Sequence, residues 1–333
     1  MIEIDENQRL ARFIAIQSGA EDVRIDRNDL LVGGAIQENR ALDVDMVGGG
    51  EPGPLALVLR TEALSSVPES RPLDQQFAML SAAHQAGVTV PEPLWYCDNS
   101  SVIGRPFYIM RRIAGEALGS RIVRNAPHDR LMQRLGEELA VIHTITPPRD
   151  DLVFLDLPRK GPAQDSIVKY RAYLDAEPEP HPALEWGLRW LELNAPITAE
   201  IVLAHHDFRT GNYMVDGETL TGILDWEFAG WSDPHEDIAW FCAKCWRFGS
   251  DFEAGGIADR DVFYDAYEAK SGRKIDRNVI PYWEVMAHLR WAVVALHQCA
   301  RHRSGKEPSL DLALVGRRLA ELEYEILVLT GVM

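Results

Sequence analysis

The spacing of apolar residues changes character about a third of the way along the chain. Residues 3–18 carry apolar side chains at helical intervals and predict an amphipathic helix. Three strand-like segments follow at 23–33, 36–46 and 55–60, the last two joined by the Gly/Pro-rich turn VGGGEPGP. Residues 61–72, TEALSSVPESRP, read as an exposed loop. A helix is expected over 72–86, ended by Gly87, with further strands at 93–97 and 106–112. Together these make a small sheet with one helix packed on it. Beyond IMRRIAG at 109–115 the pattern turns helical: 128–146, 164–176, 182–194, 234–248, 258–271, 277–303 and 309–330. Strand signals in this half are confined to one place. The apolar run at 201–204 is followed by Tyr213–Val215 and Leu220–Leu224, which flank the turn pair Asp216-Gly217. The expectation is an α+β protein with a sheet-bearing first part and a mainly helical second.

That one place also carries the chemistry. Residues 205–229 read HHDFRTGNYMVDGETLTGILDWEFA, a His-x-Asp-x-x-x-x-Asn pattern, a hairpin, then Asp-Trp-Glu. Phosphoryl transfer needs positioning and charge neutralisation more than covalent help. Asp207 is suited to orient an acceptor hydroxyl. Asn212 and Asp225 offer one amide oxygen and one carboxylate, a hard donor pair suited to Mg²⁺ with phosphate oxygens and water. The alternative is a turn-rich hairpin with Asx caps. The first pattern alone is weakly specific; the second Asp at this distance, followed by Trp-Glu, sharpens it.

Composition narrows the classes. A formal charge of −17 argues against non-specific nucleic-acid binding, which relies on Lys and Arg, and is compatible with a cationic substrate. MIEIDENQRL has neither the basic start nor the apolar core of a signal peptide. No apolar run is long enough to span a membrane, 283–300 being interrupted by Glu284, His288 and Arg290. A cytoplasmic protein is expected. Cys242-x-x-Cys245 has no second ligand pair nearby, so core thiols are expected rather than zinc.

The motif residues resemble the aminoglycoside phosphotransferase family of the protein-kinase-like superfamily, whose wording runs HGDxxxGN…IDWE…GDPxxDLA. Here it stands as His205-His206-Asp207, Gly211-Asn212, Leu224-Asp225-Trp226-Glu227 and Ser232-Asp233-Pro234-His235-Glu236-Asp237-Ile238-Ala239, with His206 in place of a Gly. GVTVPEP, VIGRPFYIMRRIAGE and LGEELAVIHTI are similar to the branch found fused to acyl-CoA dehydrogenases. The resemblance implies a two-lobed kinase-like fold, with residues 1–112 as a nucleotide-binding N-lobe. Residues 113–333 would form a C-lobe holding the catalytic loop, metal site and acceptor pocket. It implies ATP or GTP as co-substrate, its base near backbone groups of Ile109, Met110, Arg111, Arg112 and Ile113. His205 is expected to support the loop rather than react.

The chain departs from the kinase pattern at the lysine of the third strand. There is no Lys before Lys160, and LALVLR ends in Arg60. Guanidinium is permanently charged and grips phosphate in bidentate fashion, so Arg60 is expected to hold the non-transferred phosphates. The usual acid on the following helix falls at Gln76, which can hydrogen-bond Arg60 but has no charge to pair with it, so either Arg60 is less firmly positioned or another acid serves. Gly33-Gly34 could admit backbone N–H groups to phosphate, or form an ordinary turn. Arg209 is placed to contact the γ-phosphate or an anionic substrate, or to form a surface ion pair. Asp233, Pro234 and Glu236 fit a helix start at N-cap, N1 and N3. Asp237 would brace the catalytic loop or simply suit the helix dipole.

The expectation is a Mg²⁺-dependent kinase acting on a small hydroxylated acceptor, with no nucleic-acid or membrane partner. Two alternatives stand beside it: a pseudokinase-like nucleotide- or ligand-binding protein, suggested by Gln76 and His206, and a metal-dependent hydrolase using the same carboxylates.

Overall fold

A computed structural model describes residues 5–31, 37–62, 70–305 and 307–333. The chain divides into two compact units. One comprises Met1–Gly115, Asp150–Phe154 and Thr221–Phe228; the other comprises Glu116–Arg149, Leu155–Leu220 and Ala229–Met333.

The first unit is built on a five-stranded antiparallel sheet. It contains α1 (Glu6–Ser18), β1 (Asp22–Leu30), β2 (Gln37–Val47), β3 (Gly53–Glu62), α2 (Leu73–Gln85), β4 (Pro93–Cys97) and β5 (Phe107–Arg111), with strand order β1-β2-β3-β5-β4. Asp5 starts α1 with a reciprocal capping box to Gln8, and Gly19 ends it in the left-handed region. Strand periodicity then sorts the side chains by face. Leu42, Val44, Leu57, Leu59, Phe107 and Ile109 point to one side and enclose a core with Leu10 and Ile14 of α1. Residues one step out of phase point to the other side. There Phe77 of α2 packs on Tyr108, and Arg60 stands opposite Tyr108 in the ladder.

The second unit is mainly helical. Its helices are α3 (Gly119–Ile122), α4 (Asp129–Ile142), α5 (Pro162–Ala176), α6 (Pro182–Asn194), α7 (Pro234–Cys242), α8 (Arg260–Ser271), α9 (Ile280–Arg303), α10 (Leu310–Arg317) and α11 (Leu319–Leu329). Helix α9 supplies much of the core, burying Trp283, Val285, Leu289, Ala292 and Val293. No helix among the described residues is long and apolar enough to cross a membrane.

Two short ribbons frame the motif: β6 (Val202–Ala204) with β9 (Gly230–Ser232), and β7 (Tyr213–Asp216) with β8 (Thr219–Ile223), which turns at Gly217 with φ 62°. Three differences from the pattern reading appear here. Strand β9 is too short, at three residues, to carry an alternation signal. The helix expected over 234–248 stops at Cys242 and continues as a 3-10 turn at Lys244–Trp246, because Ala243 is extended with ψ 139°. The helix expected over 309–330 divides at Arg318 into α10 and α11. Most of the loop expected over 61–72, and Gly33-Gly34, lie outside the described residues; Thr61 and Glu62 belong to β3.

Candidate active site

In the second unit the segment after β6 is held from beneath by one carboxylate. Asp237 is fully buried on α7, which starts at N-cap Asp233 and N1 Pro234 as its sequence predicts. Its Oδ2 accepts the backbone N–H of His205 at 2.6 Å and its Oδ1 that of His206 at 2.8 Å. Burial alone would raise the Asp237 pKa. The His143 hydrogen bond and the nearby His143, His206 and His205 outweigh burial and hold it at about 2. His143 is itself pushed down by burial, and its Nδ1 faces the Tyr267 hydroxyl at 2.8 Å. Asp237 therefore braces the loop. His205 is buried and its Nδ1 accepts the Asp207 N–H at 3.2 Å, a supporting role.

His206 adopts φ 62°, which accounts for the glycine usual at this position. A side chain there costs about 1 kcal/mol of backbone strain. Its Nε2 lies 3.5 Å from Glu236, whose other neighbours are Ser232 and, at 3.7 Å, Arg290. Burial disfavours the Glu236 carboxylate, yet the charges of His206 and Arg290 leave its pKa below the usual value.

The Asp207 carboxylate is 8 % exposed and well supplied with donors. Oδ1 accepts Arg209 Nε at 3.0 Å and Trp240 Nε1 at 3.1 Å, and Oδ2 accepts Asn212 Nδ2. Asn212 Nδ2 also donates to the Asp207 carbonyl at 3.0 Å. With its amide nitrogen so committed, Asn212 turns its oxygen away, and that oxygen has no hydrogen-bond partner among the described residues. Trp240 was not singled out by the motif. It lies one turn after Asp237 on α7, and that i,i+3 spacing on a helix carrying a motif residue is the available signal. Arg290 of α9, with its Cζ 4.7 Å from the Trp240 ring centroid, had no sequence signal.

In the first unit Arg60 is 7 % exposed and donates from Nη2 to Asp225 Oδ1 at 2.7 Å. Its Nε is buried without a hydrogen-bond partner among the described residues. Burial works against the charge, but Tyr108, Asp225 and Glu227 raise the guanidinium pKa above its ordinary value. Burial also raises the Tyr108 pKa, so at neutral pH the compensating charge comes from Asp225 and Glu227. Glu227 is 2 % exposed, accepts Ser70 Oγ at 2.7 Å, and its carbonyl accepts the Arg71 N–H at 3.0 Å. Gln76 makes no bond to Arg60 among the described residues. Its Nε2 donates to the Arg71 carbonyl at 2.6 Å and its Oε1 is buried without a partner. Thus the acid missing from α2 has an electrostatic counterpart in Glu227. Asp225 itself has φ 67°, and its Oδ2 carries no hydrogen bond among the described residues.

The stretch 109–113 is mostly committed to the sheet. Ile109 and Met110 pair with both β3 and β4. The N–H groups of Arg111 and Arg112 donate to Glu92 O at 2.9 Å and Ala56 O at 3.0 Å. Their side chains pair with Glu51, Glu92 and Asp43. Ile113 differs: its N–H has no partner among the described residues. Its side chain packs close to Gly222, where an added Cβ would lie 2.3 Å from Ile113 Cδ1 and would displace the end of that side chain.

The paired cysteines are core thiols. Cys242 and Cys245 are buried, and burial pushes the Cys242 thiol up to about 12. No cluster of three His, Cys, Asp or Glu side chains suited to a metal occurs among the described residues.

Sheet, helical unit and braced Asp/Asn loop define a kinase-like phosphotransferase architecture. The chain belongs to the phosphotransferase enzyme family, whose profile matches residues 37–289. Mouse acyl-CoA dehydrogenase family member 10 is 30 % identical over 217 residues, covering 62 % of this chain and 20 % of the relative. The chain thus spans about a fifth of that relative's length. A putative aminoglycoside phosphotransferase from Ralstonia eutropha superposes with a TM-score of 0.76 at 21 % identity, covering 97 % of this chain and 98 % of that one. The GDP complex of wild-type aminoglycoside 2'-phosphotransferase-IIIa gives 0.62 at 15 % identity, covering 98 % and 99 %. At these identities the likeness establishes the fold.

Proposed function

We propose that the protein transfers the γ-phosphoryl group of ATP or GTP to a hydroxyl of a small molecule. The observation that carries the reading is the Asp207–Asn212 arrangement, an immobilised carboxylate beside an amide whose oxygen is left open. Asp207 orients the acceptor hydroxyl and accepts its proton as the oxygen–phosphorus bond forms. The bond to the β-phosphate oxygen breaks in line, and the electron pair leaves with the nucleoside diphosphate. Arg60 binds the non-transferred phosphates, with its unpartnered Nε as the donor awaiting an anion. Glu227 positions that guanidinium in place of an acid on α2. The open N–H of Ile113 receives the base.

The donor chemistry suits Mg²⁺: the open oxygens of Asn212 and Asp225 are hard ligands, and we assign the ion to them. When bound, it neutralises phosphate charge during transfer. The nucleotide complex of the structural neighbour supports a nucleotide co-substrate.

The second reading, a nucleotide-binding protein with little transfer activity, draws on Gln76 and on the engagement of Arg60 by Asp225. Melting temperatures with ATP or GTP, with and without Mg²⁺, separate the possibilities, because a ligand of the folded state raises the melting temperature by mass action. We expect a Mg²⁺-dependent rise that Asp225→Asn loses and Asp207→Asn keeps. Asp207→Asn should abolish acceptor-dependent ADP or GDP release; unchanged turnover would refute its role. Binding without release by the wild type, with any hydroxylated acceptor, would favour the second reading.

A further inference from the structure

We propose that the acceptor bound beside Asp207 is a hydroxylated organic anion, held through a carboxylate or phosphate by Arg209 and Arg290, rather than a polyamine-like cation. This rests on the phosphotransferase reading and adds the charge class of its acceptor.

Three indoles form one cluster next to Asp207. Trp246 lies 5.2 Å from Trp240 and 4.7 Å from Trp291, ring centre to ring centre. Two guanidinium groups lie over it, Arg209 at 4.5 Å from the Trp246 ring and Arg290 at 4.7 Å from the Trp240 ring. A guanidinium stacked on an indole is held by its face and presents its N–H edge in the geometry a planar anion needs. Arg209 uses Nε on Asp207 and Nη1 on the Thr210 carbonyl, at 3.0 and 3.3 Å. Its Nη2 has no partner among the described residues. Trp246 is 4 % exposed, and its Nε1 is a further donor with no acceptor among the described residues. Arg209 and Arg290 remain 24 % and 15 % exposed at the side chain, so a small ligand can reach them.

The acids at this place are already engaged. Asp207 takes hydrogen bonds from Arg209, Trp240 and Asn212. Glu236 faces Ser232, His206 and Arg290. An ammonium entering here would meet two cations and carboxylates whose charge those cations already share, which costs more than the new contact returns. An anion with a short apolar or flat body meets the Arg209 Nη2 donor and the partly exposed guanidinium of Arg290, both backed by the buried indoles. The chain's overall charge of −17 therefore misreports the charge preference at this point.

The test uses the full chain and a matched set: 6-hydroxyhexanoate, its amide, 6-aminohexan-1-ol and hexane-1,6-diol monophosphate. Binding is read without nucleotide from indole fluorescence, and ADP or GDP release is read separately with nucleotide and Mg²⁺. We expect the carboxylate, the phosphate or both to bind about tenfold more tightly than the amide and the amino alcohol, a difference of about 1.4 kcal/mol. The stronger of the two anions identifies the group recognised. Arg290→Gln should lose that preference and, because Arg290 also faces the buried Glu236, melt below wild type while staying folded at the assay temperature. Arg209→Lys, which keeps charge but loses the stacked fork, should weaken it in part. Equal or tighter binding of the amino alcohol, no anion preference, or a preference untouched in both variants would overturn the proposal. Anion binding with no nucleotide turnover would sink the phosphotransferase reading instead, leaving the charge preference standing.

Discussion

Replacing Asp237 with Asn should loosen the loop that carries Asp207 without altering Asp207 or Asn212 themselves. Asp237 accepts two backbone N–H groups with its two oxygens. An Asn offers one acceptor and one donor, so one of those buried N–H groups would face an N–H. Hydrogen bonds to a charged partner contribute about 1.5–3 kcal/mol and neutral ones about half that. Losing one and weakening the other predicts a loss of roughly 2–4 kcal/mol, measurable by urea denaturation. The pH dependence gives an independent check. The carboxyl pKa is about 2 in the folded chain against an ordinary 3.8. Because the folded value is the lower one, its contribution is complete above about pH 4 and is lost as pH falls through about 2. That gap is worth about 2 kcal/mol. The variant should lack this segment of the acid-unfolding profile. A variant within about 0.5 kcal/mol of wild type at pH 7, with the same acid profile, would mean that Asp237 is not the brace described here.

Two other substitutions test separate parts of the site. Glu227→Gln should keep the Ser70 hydrogen bond but remove the charge that compensates Arg60, raising the nucleotide KM about tenfold with a smaller change in kcat. An unchanged KM would return the positioning role to some other acid. His206→Gly should be close to neutral in stability, within about 0.5 kcal/mol. Relief of the left-handed strain offsets the greater freedom of unfolded glycine and the lost Glu236 contact. A loss of 2 kcal/mol or more would show that the imidazole–Glu236 contact outweighs the strain.

Much of this architecture was legible because local signals agreed with one another. Alternation fixed β2 and β3 to within a few residues, and Asp233-Pro234 marked the start of α7 from capping chemistry alone. The Asp207–Asn212 spacing was readable because both residues lie on one short segment. What escaped was non-local. Trp240 reaches Asp207 across 33 residues, and Arg290 joins the cluster from another helix. The relation of Glu227 to Arg60 joins residues 167 positions apart, so the pattern left room for another acid to serve Arg60 without saying which one. Strand β9 and the break at Arg318 were set by tertiary pairing and local backbone angles, which residue patterns do not encode.

The substitution of Arg60 for lysine has a consequence for detection. The whole first unit, including its later segments 150–154 and 221–228, contains no lysine side chain. Acyl-phosphate and sulfonyl-fluoride nucleotide probes that mark kinases by acylating or sulfonylating a primary amine would find no ε-amino target there. A guanidinium, protonated throughout the usable pH range, does not replace it as a nucleophile. Probes that depend on a lysine in this unit would therefore leave it unlabelled. Dicarbonyl reagents, which condense with arginine, are the appropriate tags, and protection of Arg60 by nucleotide would be the signal to seek.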